Sequence, residues 1–130
     1  MNHIDHCKKC IEQCNRCIDG CKAAAHACAK NKECRAESNT SMKDCTSCIE
    51  ACKLCIKACT EHIAQCNDAT CITGCKDCIE ECKKCIATCE ACFRACEKPG
   101  SSCARACQDC IDACKKCIEL CTICIQKSCC

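Results

Sequence analysis

Inward-facing positions along this chain recur in alternating steps of three and four residues, and four blocks carry the pattern. The first runs Cys7, Cys10, Cys14, Cys17, Cys21 and, after a gap, Cys28. The second runs Cys45, Cys48, Cys52, Cys55, Cys59 and Cys66. The third runs Cys71, Cys75, Cys78, Cys82, Cys85, Cys89, Cys92 and Cys96. The fourth runs Cys103, Cys107, Cys110, Cys114, Cys117, Cys121 and Cys124. This spacing is the a/d seam of helices packed in a bundle. The residue after most d cysteines is apolar, including Ile11, Ile18, Ile49, Ile56, Ile79, Ile86, Ile111, Ile118 and Ile125, with Phe93 at the same register. These e positions widen the inward face. Lys8, Lys9, Glu12, Lys83, Lys84, Lys115 and Lys116 fall at b, c and f, where a solvated face belongs.

Aligning Cys7, Cys45, Cys75 and Cys107 puts the blocks in register at separations of 38, 30 and 32 residues. The chain is thus an internal repeat with one helix per unit. Breaks fall between the blocks. Ser41 followed by Asp44 reads as a capping-box variant opening the second helix. Asn67-Asp68 is a polar break before the third. Lys98-Pro99-Gly100-Ser101 stops the third helix and offers Ser101 as N-cap of the fourth. The predicted helices cover about 3–30, 41–66, 69–97 and 102–127, each roughly 40 Å long at about 1.5 Å per residue. The first connection, about 31–40, carries the off-pattern Cys34. Short later connections favour antiparallel neighbours. The expectation is one domain over residues 1–130, all-α, folded as an up-down-up-down antiparallel four-helix bundle with a cysteine-lined core.

Composition sharpens this picture. Of 30 cysteines, only Cys34, Cys129 and Cys130 lie off the pattern; these three are auxiliary thiols. The usual core builders are scarce, with one Phe, no Trp and no Tyr. Net charge is +2 from 19 basic and 17 acidic residues, which leaves no basic footprint for nucleic acid and no polybasic membrane signal. Without aromatics there are no stacking platforms for single strands. No stretch approaches the roughly 20 apolar residues of a membrane span. The start, Met-Asn-His-Ile-Asp-His-Cys, lacks a basic region followed by an apolar one, so a cytoplasmic location with reduced thiols is expected. No Gly-rich phosphate loop or acid/base pair stands out, and CxxC lacks the βαβ context of a thiol redox catalyst. Catalysis is not expected.

Buried free cysteine packs as a small hydrophobe, and one or two on a seam would call for no metal. A whole seam of thiols, with Ile moved to the flank, does call for one. Thiolates select Cu(I), Zn(II) and iron–sulfur clusters. Residues i,i+3 and i,i+4 share a helix face with Cβ atoms about 5–6 Å apart, so thiolates on adjacent turns can grip one ion. Cu(I) accepts two or three sulfurs, and thiolates bridge neighbouring copper ions. Zinc asks for a closed tetrahedron of four ligands, and no spacer here isolates one site from the next. Iron–sulfur clusters use a few dedicated cysteines. Charge points the same way. One Cu(I) per thiolate leaves the interior near neutral, whereas zinc held by four sulfurs leaves two negative charges per site.

Four registered CxxCxxxCxxC strings, Cys7 to Cys17, Cys45 to Cys55, Cys75 to Cys85 and Cys107 to Cys117, resemble those of the copper storage proteins. The resemblance covers nearly the whole chain. It implies a four-helix bundle whose core cysteines store Cu(I), exchange with copper chaperones and assembly as a homotetramer. This chain is denser in cysteine than that resemblance requires.

The repeat register also sorts the histidines. His3 occupies the d position held by Cys71 and Cys103 in other helices, and His62 the one held by Cys92 and Cys124. In an up-down bundle both fall at one end, with Cys7, Cys66, Cys71, Cys124 and the Cys129-Cys130 pair. That end reads as the mouth through which copper passes. The alternative is that both are ordinary histidines in water. His6 and His26, at g and f, are expected to face solvent. Met42 falls near the opposite end, and Met1 is a start residue. Two other functions compete with Cu(I) storage: a Zn(II) or Cd(II) buffer of metallothionein type, and a disulfide-stapled structural bundle. Disulfide geometry disfavours bonding within one helical CxxC.

Overall fold

The computed structural model describes residues 2–29, 35–98 and 101–128, without the side chains of Ala29, Ser101 and Ser102. Met1, Cys34, Pro99, Gly100, Cys129 and Cys130 lie outside the described residues. Four helices make up the fold: α1 (His3–Ala29), α2 (Arg35–Gln65), α3 (Ala69–Glu97) and α4 (Ser101–Lys127). Each packs along its two neighbours in a closed square, α1 against α2 and α4, and α3 against α2 and α4. Sulfur pairs fix the directions. Cys7 meets Cys55 while Cys17 meets Cys45, so α1 and α2 are antiparallel. Cys75 meets Cys124 while Cys89 meets Cys110, so α3 and α4 are antiparallel too. The all-α, up-down-up-down bundle follows the cysteine seam as expected.

The core is almost entirely thiol. Seam cysteines from all four helices are fully buried, and Ile18, Ile111 and Ala24 join them. Ile11, Ile49, Ile56, Ile79, Ile86, Ile118, Ile125 and Phe93 pack against this column from the flanks, half-buried at the helix–helix joints. Burial of their apolar area stabilises the bundle before any metal arrives. Lys83, Lys84, Lys115 and Lys116 are exposed. The ion pairs on this outer surface, such as Arg16 with Glu12 at 3.3 Å, join residues three or four apart on one helix and add little in water. Among the described residues no helix is long and apolar enough to cross a membrane.

Helix ends agree with the sequence except at α2. Asp68 is the N-cap of α3, its carboxylate accepting from the Cys71 N–H at 2.9 Å. Lys98 follows the end of α3, its N–H reaching the Ala95 carbonyl at 3.3 Å. Helix α4 opens at Ser101. Helix α2, expected from Ser41, begins at Arg35 instead. Ser41 is no cap. It lies in the second turn of the helix, fully buried, as does Ser38. Both continue the three-four register backwards from Cys45 and point into the core. Two polar residues on the seam imitate a helix start, while tertiary packing carries the helix through them.

The Asp68 cap holds the first turn of α3 and with it the backbone of Cys71. Replacing a capping Asp by Ala removes the acceptor for an otherwise unpaired N–H, so Asp68→Ala is expected to cost about 1 kcal/mol. Urea unfolding of the reduced, metal-free protein, followed by circular dichroism, reads this as a lower midpoint at unchanged slope.

Candidate metal centre

The antiparallel square sets seam thiols opposite one another in rungs. In one rung Cys7 lies 3.6 Å from Cys55, Cys55 lies 3.7 Å from Cys78, and Cys78 lies 3.5 Å from Cys121, all measured between Sγ atoms. The next joins Cys10 to Cys52 at 3.6 Å, Cys10 to Cys117 at 3.7 Å and Cys82 to Cys117 at 3.7 Å. Below it Cys14 meets Cys48 at 3.6 Å, Cys48 meets Cys85 at 3.8 Å, and Cys85 meets Cys114 at 3.7 Å. Cys17, Cys45, Cys89 and Cys110 form the following rung, with separations of 3.5 to 3.8 Å. Contacts along the axis link rung to rung, as between Cys17 and Cys21 and between Cys85 and Cys89, both 3.9 Å.

Within and between these rungs, four-sulfur groups could hold a metal ion, and they overlap. Cys7 and Cys78 belong both to a group with Cys55 and Cys121 and to one with Cys59 and Cys124. Cys10 and Cys117 serve both a group with Cys82 and Cys121 and one with Cys14 and Cys52. The donor atoms of each group lie within 4.8 Å of one another. No disulfide joins one described cysteine to another. All the described seam cysteines except Cys66 are buried. Cys66 sits one residue past the end of α2, half-exposed, where its sulfur accepts from the Asp68 N–H at 3.4 Å.

The two ends of the column differ. At one end the rings of His3 and His62 stack at 3.8 Å between centroids. His62 Nε2 lies 3.2 Å from Cys71 Sγ, and His3 Nε2 lies 3.3 Å from Ser128 Oγ. His3, His62, Cys71 and Cys75 form a further group that could hold a metal. The register placed these two histidines at one end, and there they meet. His26 is exposed and His6 half-exposed. At the other end the seam changes from sulfur to hydroxyl. Ser41 Oγ lies 3.4 Å from Cys21, 3.8 Å from Cys92 and 4.0 Å from Cys107. Ser38 lies 3.8 Å from both Cys28 and Cys103. Met42 is half-buried against the flank of this core and also lines an outer groove with Phe93 and Thr46. Sequence reading takes Ser41 as a helix start and leaves Ser38 in the connection at about 31–40; counting the three-four steps back from Cys45 lands on both.

Crowding decides how the thiols ionise. A thiolate is stabilised by S–H donors beside it, and those donors hold their own protons harder in return. Cys114 and then Cys14 bring Cys48 down to about 6. Cys110, then Cys114, push Cys17 lower still. Cys14, facing Cys10 and Cys114, is held well above the usual thiol value, as is Cys82 beside Cys10 and Cys117. Neighbouring thiols therefore pull one another in opposite directions, and a metal ion bound as thiolate displaces their protons.

Burial, followed by the nearby His62, lowers the His3 pKa below its ordinary 6.5. Below 6.5 the unfolded chain takes up a proton that folded His3 resists, so this stability is present above 6.5 and is lost as pH falls through the folded value. The urea midpoint of the metal-free protein is expected to decline on acidification from 6.5 downward. His3→Leu should flatten that decline.

Compared with family models, with curated proteins and with solved structures, the chain matches none. The site defines a cysteine-rich helical bundle with clustered groups able to bind metal.

The serine rung yields a prediction about capacity. Ser41→Cys adds a fourth sulfur beside Cys21, Cys92 and Cys107, so metal saturation of the reduced protein should rise. Elemental analysis after anaerobic loading and gel filtration reads the change.

Proposed function

We propose that this protein stores and buffers Cu(I) in its thiolate column, as a binding protein without a catalytic step. The observation that carries this reading is the overlap of the four-sulfur groups, in which Cys7, Cys10, Cys78, Cys117 and Cys121 each serve more than one. Shared ligands suit an ion that accepts two or three sulfurs and tolerates bridging thiolates. They suit zinc poorly, since each zinc asks for a tetrahedron of its own. Charge supports the same choice. Every core thiolate buried without a counter-charge is costly, and one monovalent ion per thiolate removes the cost. The flanking Ile residues keep the column folded when empty, and bound copper stabilises it further by mass action.

In this reading copper passes through the His3/His62 end. Imidazole holds Cu(I) less tightly than thiolate and allows hand-over to a chaperone that presents its own thiolates. The opposite end, with Ser38 and Ser41 fully buried, offers fewer soft ligands. A cytoplasmic location, where thiols stay reduced, and assembly as a homotetramer belong to the same reading and follow from the resemblance to copper storage proteins.

The test is an anaerobic Cu(I) titration of the reduced protein against a calibrated chromophoric Cu(I) chelator. The expected result is a chelator that stays copper-free until roughly two dozen equivalents are bound, with about one proton released per ion in weak buffer. A chelator that takes copper after a few equivalents would overturn the reading, as would Zn(II) that holds the all-sulfur groups of the column against excess Cu(I).

A further inference from the structure

The charge rule that favours Cu(I) in the column has the opposite consequence at its end. His3, His62, Cys71 and Cys75 bring two imidazoles and two thiols together, with donor atoms within 4.8 Å of one another. Two thiolates carry two negative charges and two imidazoles carry none. A divalent ion there is neutralised in full, whereas a lone monovalent ion leaves a negative charge behind. Two sulfurs and two nitrogens also form the mixed tetrahedral set of closed zinc sites.

The state of His3 is an independent sign of a missing ligand. The residue is 2% exposed, and its Nδ1 is buried without a hydrogen-bond partner. Its other nitrogen, Nε2, lies 3.3 Å from Ser128 Oγ. In the tautomer whose Nε2 donates to that hydroxyl, Nδ1 presents a bare lone pair. This is how ligand histidines are held, one nitrogen anchored to a polar group and the other left for the metal. A buried acceptor with no donor is costly unless something fills its place.

One donor spacing fits as well. A tetrahedral zinc with bonds of about 2.0–2.1 Å to nitrogen and 2.3 Å to sulfur sets N···S edges near 3.5 Å and the S···S edge near 3.8 Å. His62 Nε2 already lies 3.2 Å from Cys71 Sγ. The Asp68 cap fixes the turn that carries Cys71, and Cys75 lies one turn further along the same face.

We infer that His3, His62, Cys71 and Cys75 form a single Zn(II) site, distinct from the copper column, that stoppers it. Binding is balanced by the loss of two thiol protons, one each from Cys71 and Cys75. Cys75 Sγ lies 3.7 Å from Cys124, which belongs to the adjoining four-sulfur group, so a bound zinc sits directly over the column. The stoppering role rests on the copper-storage reading; the zinc site does not.

The test adds one equivalent of Zn(II) to the reduced, metal-free full chain under anaerobic conditions and reads zinc-edge X-ray absorption. The expected first shell is two sulfurs and two imidazole nitrogens, and it should convert to an all-sulfur shell in His3→Ala/His62→Ala. An all-sulfur shell in the unaltered protein overturns the site. Ser128→Ala keeps all four ligands and supplies a second check. It should weaken Zn(II) about 10- to 100-fold in chelator competition, as loss of a hydrogen bond to a ligand histidine does. Unchanged affinity overturns the His3 assignment. For the stopper, copper-loaded protein with and without one equivalent of Zn(II) is challenged with a Cu(I) chelator. Slower release with zinc supports it, and equal rates overturn it. A Cu(I) titration of the same preparation separates the failures. A full copper load with no mixed zinc shell removes only this site, and a mixed zinc shell with a small copper load removes only the storage reading.

Discussion

A thiol in a dry interior can give up its proton only if another positive charge takes its place. In this bundle that constraint acts at every level, because seam positions that ordinarily hold Leu or Ile hold sulfur on all four helices. Inside the column, neighbouring thiols shift one another in opposite directions. Cys48 is driven down to about 6 by the S–H groups of Cys114 and Cys14, while Cys14 itself is held far up by Cys10 and Cys114. Such a column is a poor substitute for an aliphatic core, since thiols contribute less apolar area than leucines. The structural load falls instead on the flanking row of Ile residues, which seal the four helix joints. Separating the two tasks lets the interior change its charge and contents while the walls stay put.

The same constraint distinguishes the ends from the middle. Between Cys7 and Cys110 the rungs are all sulfur. Towards the far end Ser41 and Ser38 replace thiols with hydroxyls that stay neutral and still hydrogen-bond to Cys21 and Cys28. Ala24, fully buried at a seam position, adds no donor at all. Towards the near end imidazole joins sulfur. Donor chemistry therefore runs from mixed nitrogen and sulfur, through pure sulfur, to sulfur and oxygen, which gives a symmetric architecture a direction.

Most of this was legible in the residues. Alternating three-four steps gave the helices, and the chain breaks gave their antiparallel order. Aligning the repeats put His3 and His62 at thiol positions of one end, where the structure stacks their rings. The Asp68 break proved to be a cap. What escaped was the first part of α2. Ser38 and Ser41 are polar, and propensity assigns such residues to helix starts; their burial depends on partners from the other helices, notably Cys92 and Cys103. Cys66 escaped for the converse reason. Its register is that of the seam, but α2 ends at Gln65, and the thiol turns to the backbone of Asp68. Periodicity reports which face a residue would occupy if the helix reached it; it is silent on where packing lets the helix stop.

The register that threads these rungs also sets how such a chain can change. Replacing one seam cysteine by Ser or Ala removes a single donor and leaves the rest in place, as Ser38, Ser41 and Ala24 illustrate. Inserting or deleting one residue within a helix rotates everything beyond it by about 100°. Each downstream thiol would then swing to the surface, and charged residues would swing in. Inheritance in this protein is accordingly tolerant of letter changes and intolerant of shifts in spacing. Only in the connections between helices can a change of length be absorbed without this rotation, so the number of thiols can change where their phase cannot.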